Sequence, residues 1–357
     1  MSATNRFTGL ALRHSTLPIL IVPLIAAGIL VSVFGSQLIQ DIFTYFCVAL
    51  MMVFSVQMFM GNSGILSWTH VGFVGIGAYT AGILSTAPMV KGMGVPNMYP
   101  FLVELQIPVL PAILAGGLIA AAVAAVIGYP LMRLSDFAGV ITLFATLIVI
   151  HVVMTQWDNV TNGPRTFFGV PDWTTLTAAL IGAVVVILLA YWFRESALGL
   201  RLRATRDDRY AAAAIGINMV FVRYLTFVLS AGVAGVAGGF WAHYITSFSP
   251  KAFYMAEMFM LLSMLVIGGA GSISGAFTGT VVVTLAREAL RQIEANINNA
   301  HVLSFEVFGL TEIVMAILMV LVLIWRPGGI VGGQEIRWPG FGRKGKDAAA
   351  EAETLAA

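Results

Sequence analysis

The chain has 357 residues, of which 59% are hydrophobic and 10% charged, against about 25% charge in an ordinary soluble domain. That composition excludes a soluble globular protein, and a net charge of +2 excludes a nucleic-acid binder, whose signature is a concentrated basic surface. The single cysteine, Cys47, excludes an internal disulfide and a cysteine-based zinc site. What remains is an all-α, polytopic integral membrane protein dissolved in lipid, and about ten transmembrane helices of roughly 20 residues fit its length.

In chain order, Leu17 to Phe34 forms the first apolar run. It is longer than a signal-peptide core and lacks a small-residue cleavage pattern, so it reads as a retained helix. Further runs follow at 40–60, 64–87, 107–129, 137–155, 174–193, 220–242, 256–270, 272–288 and 307–325. Ten crossings put both termini on one side. That side then holds every lysine and arginine except Lys91, Arg165, Lys251, Arg287 and Arg291, and the positive-inside rule makes it the cytoplasm. The expected layout is a cytoplasmic segment 1–16, a membrane domain 17–325 with a cytoplasmic loop at 194–223, and a cytoplasmic tail 326–357. Pro88–Pro108, Trp157–Trp173 and Arg287–Glu306 become external loops, the last with the pattern of an amphipathic surface helix.

Two patterns carry functional information. The first is the loop RESALGLRLRATRDDRYAAAAIGINMVFVRY after Phe193. From Arg206 to Ile215 it predicts a helix, with Thr205 as N-cap, Asp208 as its capping-box partner and Gly216 as the stop. Asp207 and Asp208 would complement the first turn's dipole, and Ala211 to Ala214 offer a small-residue face. That face suits docking to another protein, and the loop also fits an ordinary arginine-rich cytoplasmic connection.

The second pattern is a pair of glycine-rich membrane segments, Gly61 to Gly82 and Ile267 to Gly279. Small residues at this spacing let helices pack closely or let the backbone unwind beside a pathway, so short or broken helices are expected at both. His70, Glu257 and Glu312 are ionisable groups inside spans and functional candidates on that ground, with helix-to-helix hydrogen bonding or an interfacial position as the plainer readings. No phosphate loop in a strand–helix setting, HExxH helix or GxSxG elbow occurs; GFGRKGKD at 340–347 has only the spacing of a phosphate loop. The chain is therefore expected to bind no cofactor or ATP of its own and to be no enzyme. An ion-coupled secondary transporter would need buried acids, of which the spans hold few.

With these residues in order, LSWTHVGFVGIGAYTAG at 66–82, TLFATLIV at 142–149, GLRLRATRDDRYAAAAIGI at 199–217, TFVLSAGVAGVAGGFWA at 226–242, MLVIGGAGSISGAFTG at 264–279 and WRPGGIVGG at 325–333, the chain resembles the LivM-type permease subunits of branched-chain amino-acid ABC importers. The resemblance implies a bacterial inner-membrane permease that pairs with a second, related permease and two cytoplasmic ATPase subunits, which hydrolyse the ATP. A periplasmic binding protein would deliver the cargo. It implies ATPase coupling through Arg206, Asp207, Asp208, Ala211, Ala212, Ala214 and Gly216. It also implies a translocation path near Ser67, His70, Gly75, Gly77 and Tyr79 of the first segment and Gly268, Gly269, Gly271, Ser272 and Gly275 of the second. Trp68 and Thr69 depart from the family's usual Leu and Gly, Tyr210 and Ala213 stand where charged residues are common, and Thr161-Asn162-Gly163-Pro164 replaces a TGG-type motif. Cargo is expected to be a branched-chain amino acid, with urea or a short amide as the alternative.

Overall fold

Apolar runs become helices, and glycine, proline or a capping side chain decides where each stops. The computed structural model describes residues 16–134, 136–299, 309–326, 328–332 and 335. The segment 1–15, residues 300–308 of the expected external loop and the 340–347 string lie outside the described residues. The helices are α1 (Thr16–Phe34), α2 (Gln37–Val56), α3 (His70–Ser85), α4 (Pro88–Gly94), α5 (Pro100–Glu104), α6 (Val109–Met132), α7 (Asp136–Gln156), α8 (Asp158–Thr161), α9 (Leu176–Glu195), α10 (Ala197–Asp207), α11 (Arg209–Ala214), α12 (Met219–Ile245), α13 (Met255–Gly268), α14 (Ile273–Asn299) and α15 (Leu310–Trp325).

Seven of these segments are long and apolar enough to cross a membrane: α1, α2 extended to Gly61, α6, α7, α9, α12, and α13 with the turn before it. α3 and α15 are shorter apolar helices of 16 residues each. α14 runs unbroken from the membrane segment into the expected surface helix as far as Asn299, the end of the described residues there, and turns polar beyond Ala286. Seven spans are thus shown, and a count of ten requires these three as well.

α2 runs through the interior, with 78% of its most apolar window buried, whereas α1 is 17% buried and lies at the periphery. The tightest packing joins α3, α6 and α12. Gly77 of α3 lies against the backbone of Gly235, Gly116 against Gly77, and Gly238 against Val74, each so close that a Cβ would overlap main-chain atoms. Lipid tails are as apolar as leucine, so membrane helices associate through this kind of close packing of small residues.

The end of the bundle opposite the 194–223 loop carries the longer connections. There Lys91 is buried and its Nζ donates to the carbonyls of Leu102 at 2.7 Å and Leu105 at 2.6 Å, tying α4 to α5 and to the residue that follows it. Burial pulls its pKa below the usual lysine value. Two short strands, β1 (Phe167–Phe168) and β2 (Ser247–Phe248), pair antiparallel with Phe167 opposite Phe248. Asn162 and Gly163 both adopt left-handed backbone, the turn chemistry behind that departure from the family pattern.

The 194–223 loop, at what is here termed the arginine-rich end, differs from expectation in one respect. It forms two helices instead of one, broken at Asp208. Thr205 is no cap: it sits inside α10 with its hydroxyl donating to Leu202 O at 2.7 Å. Asp208 is the cap of α11, its Oδ1 accepting from the N–H groups of Tyr210 (2.8 Å) and Ala211 (3.0 Å). Arg206 and Asp207 therefore end α10, and only Asp208 serves the dipole of α11. Gly216 does stop the helix. At φ +81° it lets its own N–H reach Ala213 O (3.0 Å) and that of Ile217 reach Ala212 O (3.1 Å), the paired bonds of a Schellman motif.

Candidate coupling and translocation site

At the arginine-rich end the two glycine-rich segments meet. α2 does not stop at Val56 but widens into a π-helical turn, Gln57–Gly61, and the chain is non-helical over 64–69 before α3 begins. Gly61 closes that turn against the carbonyl of Ala270 in the second segment, with no room for a Cβ. The second segment breaks at the same level: α13 ends at Gly268, Gly269 takes φ +116°, and Ser272 Oγ accepts from the N–H of Gly275 at 3.0 Å as α14 starts. Both expected breaks are present, and they touch.

Each break is gripped by an arginine of the loop. Arg206 Nη1 donates to Gly61 O at 2.7 Å, with its aliphatic stem over Gly64. Arg194, buried where α9 ends, donates from Nη1 to Gly271 O at 2.8 Å. A guanidinium keeps its charge and offers several fixed donors, so it can hold a backbone carbonyl that an unwound helix leaves without a partner.

The outward face of α11 is apolar. Tyr210 is 82% and Ile215 76% exposed, and Ala211 and Ala214 are exposed beside them. Ala212, expected on the docking face, points instead into the protein at 3% exposure. Tyr210 and Ile215 take its place on the outer surface.

The first segment's path candidates separate. Ser67 and His70 are fully buried, with Ser67 Oγ 2.8 Å from Nδ1 and Ser230 Oγ 2.9 Å from Nε2 of the same imidazole. Phe59, Phe73 and Phe227 surround that ring. His70 is thus an interior histidine with both nitrogens satisfied, bridging α3 to α12. Gly75 packs on Met154 and Phe253, and Gly77 belongs to the three-helix seam. Trp68 and Thr69, the departures from the family pattern, serve packing too: Trp68 lies edge-on to Phe144 and Phe259, and Thr69 Oγ1 donates to Leu143 O at 2.7 Å.

Tyr79 lies towards the other end. Phe167, Phe248 and Phe253 surround its ring at 5.1–6.2 Å, forming an aromatic cluster with Trp241 beneath the strand pair. It also borders an open groove of about 500 Å³ walled mainly by aliphatic side chains such as Ile76, Ile83, Val149 and Val153, with Thr80, Thr146 and Thr161 among its polar exceptions.

Four participants were not singled out from sequence: Gly61 as a contact point, Arg194 and Ser230 as partners, and Gln57. Gln57 is fully buried in the π turn and neither amide atom finds a partner among the described residues. A polar side chain inside a run of apolar ones was the available signal for Gln57. For Gly61 and Arg194 there was none, because their partners lie 145 and 77 residues away.

Residues 38–323 match the family model described as the permease component of the branched-chain amino acid transport system. The chain belongs to this family. It is 25% identical to the high-affinity branched-chain amino acid permease protein LivM of Salmonella typhimurium, over 82% of this chain and 69% of that protein. Similarity extends to an archaeal protein, the probable LivM permease of Methanocaldococcus jannaschii, at 24% identity over 65% of this chain and 71% of that one. Escherichia coli LivH, a high-affinity permease protein of the same transport system, is 32% identical over 46% of this chain and 49% of its own length. No solved structure matches at a significant level. The chain is a multi-pass membrane permease subunit, consistent with its apolar helices.

Proposed function

We propose that this chain forms half of the translocation path of an ABC importer for branched-chain amino acids, with both termini and the 194–223 loop in the cytoplasm. The observation that carries the reading is the Arg206 contact: the helix next to the exposed α11 face is bonded directly to Gly61, where the broken membrane helix begins. α11 presents Tyr210, Ala211, Ala214 and Ile215 to one of two cytoplasmic ATPase subunits, and a second, related permease completes the path. A periplasmic binding protein delivers cargo to the opposite end. Closure of the ATPases around ATP displaces α11, and Arg206 passes that displacement to the π turn. The contact between Gly61 and Ala270 carries it to the second break, so that helices on either side of both breaks tilt and the path alternates between the two sides.

The aliphatic walls beside Tyr79 offer a branched apolar side chain a contact surface that urea or a short amide has no side chain to use, and on that ground they favour the branched-chain cargo. The test is ATP hydrolysis by the complete complex in lipid discs, with the binding protein empty, leucine-loaded or urea-loaded. Stimulation by the leucine-loaded form is expected. Stimulation only by another cargo would replace the substrate, and failure of the chain to assemble with any ATPase would overturn the importer reading.

A further inference from the structure

The WRPGGIVGG stretch at 325–333 lies just beyond the family match and has no task in the transport reading. Its residues 328–332 return to the bundle. The N–H groups of Ile330 and Val331 donate to Ile267 O (2.8 Å) and Gly268 O (3.1 Å), the last carbonyls of α13. Gly329, at φ +78°, lies flat on Gly269, leaving no space for a side chain on either residue. A cytoplasmic tail 326–357 was expected, and at least residues 328–332 and 335 are docked.

Glu335 completes the contact. Its carboxylate accepts from the N–H groups of Ile273 (2.9 Å) and Ser274 (3.1 Å) and from Ser274 Oγ (2.8 Å), covering the first turn of α14, where the helix dipole favours an anion. The same carboxylate pairs with Arg194 at 2.7 Å, both side chains being largely shielded from water. The Arg194 Nη1 that makes this pair also donates to Gly271 O. Arg203 of α10 in turn donates to the carbonyl of Arg194 at 3.0 Å. One unbroken set of charge-assisted bonds therefore runs from α10 through Arg194 to the second glycine-rich break and to the strap that lies across it.

We propose that residues 328–332 together with Glu335 form a coupling strap in which Glu335 and Arg194 are positioning residues: they lock the start of α14 to the root of the cytoplasmic loop, so that the second break moves with the ATPases together with the first. This rests on the importer reading and gives the loop two attachment points, Arg206 on the first segment and Arg194 with Glu335 on the second. With only the first attached, the second break would follow α11 through the Gly61–Ala270 contact alone, and more ATP would be hydrolysed for each molecule transported.

The experiment uses the complete complex of both permeases and two ATPases in proteoliposomes, with leucine-loaded binding protein, and reads leucine imported per ATP hydrolysed. Protein that merely folds poorly lowers both quantities together and leaves their ratio alone. Glu335→Gln, which keeps the size and removes the charge, is expected to lower the ratio about tenfold, the scale of one charge-assisted bond. Ser274→Ala removes one neutral donor to the same carboxylate and is expected to lower it about threefold. A wild-type ratio in Glu335→Gln would overturn the strap. Should that variant fail to assemble, an unchanged ratio in Ser274→Ala would do the same. A wild-type complex that shows no leucine-stimulated hydrolysis would instead overturn the importer reading beneath both.

Discussion

The two glycine-rich segments look alike as sequence and are used differently. In the first, the glycines inside α3 serve rigidity: Gly77 closes on Gly235 and Gly116, backbone to backbone. Only its opening residues, from the π turn to Thr69, leave the helix. In the second, Gly268 and Gly275 cross at the break itself, Gly269 takes a backbone angle that a side chain would strain, and a strap lies over the turn. Close approach fixes helices in one place, and conformational freedom interrupts them in another. A glycine-rich membrane stretch is therefore not in itself a pathway, and the distinction lies in whether the neighbour is another helix or an unwound turn.

That difference is broken most severely at the seam. Gly77→Leu puts a side chain where the Gly235 backbone stands, and neither helix can yield without parting from α6. A loss of about 3 kcal/mol or more is expected, read as lower thermal stability and poor recovery of monodisperse protein. Wild-type stability in this variant would mean that the seam is looser than the contacts imply.

The next effect falls on the hinge and should spare the fold. Arg206→Met keeps the stem over Gly64 and loses the bond to Gly61 O, so membrane insertion and thermal stability are expected near wild type. Uptake is expected to fall about tenfold, as for loss of a hydrogen bond from a charged donor. Equal losses in stability and uptake would show that Arg206 acts only as a structural anchor.

How far the sequence carried is clear from these residues. Hydropathy located the spans because burial in lipid acts residue by residue, and seven of the ten apolar runs fall on helices long and apolar enough to cross a membrane. Both helix breaks and the Gly216 stop were legible for the same reason, since a glycine's backbone freedom is local. What was illegible is every pairing set by the tertiary fold: Arg206 with Gly61, Arg194 with Gly271, His70 with Ser230. The cap of α11 was misplaced by three residues because Thr205 and Asp208 both satisfy the local pattern, and only the structure shows Asp208 breaking the helix and capping α11.

Gln57 sharpens the hinge from the opposite direction. Its buried amide, without a partner among the described residues, is tolerated in a π turn, a feature that occurs often at functional sites. An unsatisfied buried group costs about 1–3 kcal/mol, and an apolar replacement of similar shape removes that penalty. Gln57→Leu is therefore expected to raise thermal stability by about 1 kcal/mol while slowing uptake, because the turn would have less to gain by rearranging. Higher stability with unimpaired uptake would leave the π turn as a packing feature with no share in the motion.

The smallest effect distinguishes two adjacent aspartates that the sequence placed together in the first turn of one helix. Asp208 caps α11 through two backbone N–H groups, and a helix of six residues has little else to hold its first turn. Asp207 closes α10, where an acid meets the negative end of the helix dipole. Asp208→Ala is expected to cost about 1 kcal/mol locally, seen as faster amide exchange over 209–214 and a severalfold weaker grip on the ATPase subunits. Asp207→Ala should leave that exchange unchanged. If the two variants weaken ATPase assembly equally while only Asp208→Ala speeds exchange, the aspartates act through direct contact with the ATPase and the order of α11 is incidental. A difference in assembly that follows the exchange rates makes the rigidity of α11 the property through which force reaches Arg206.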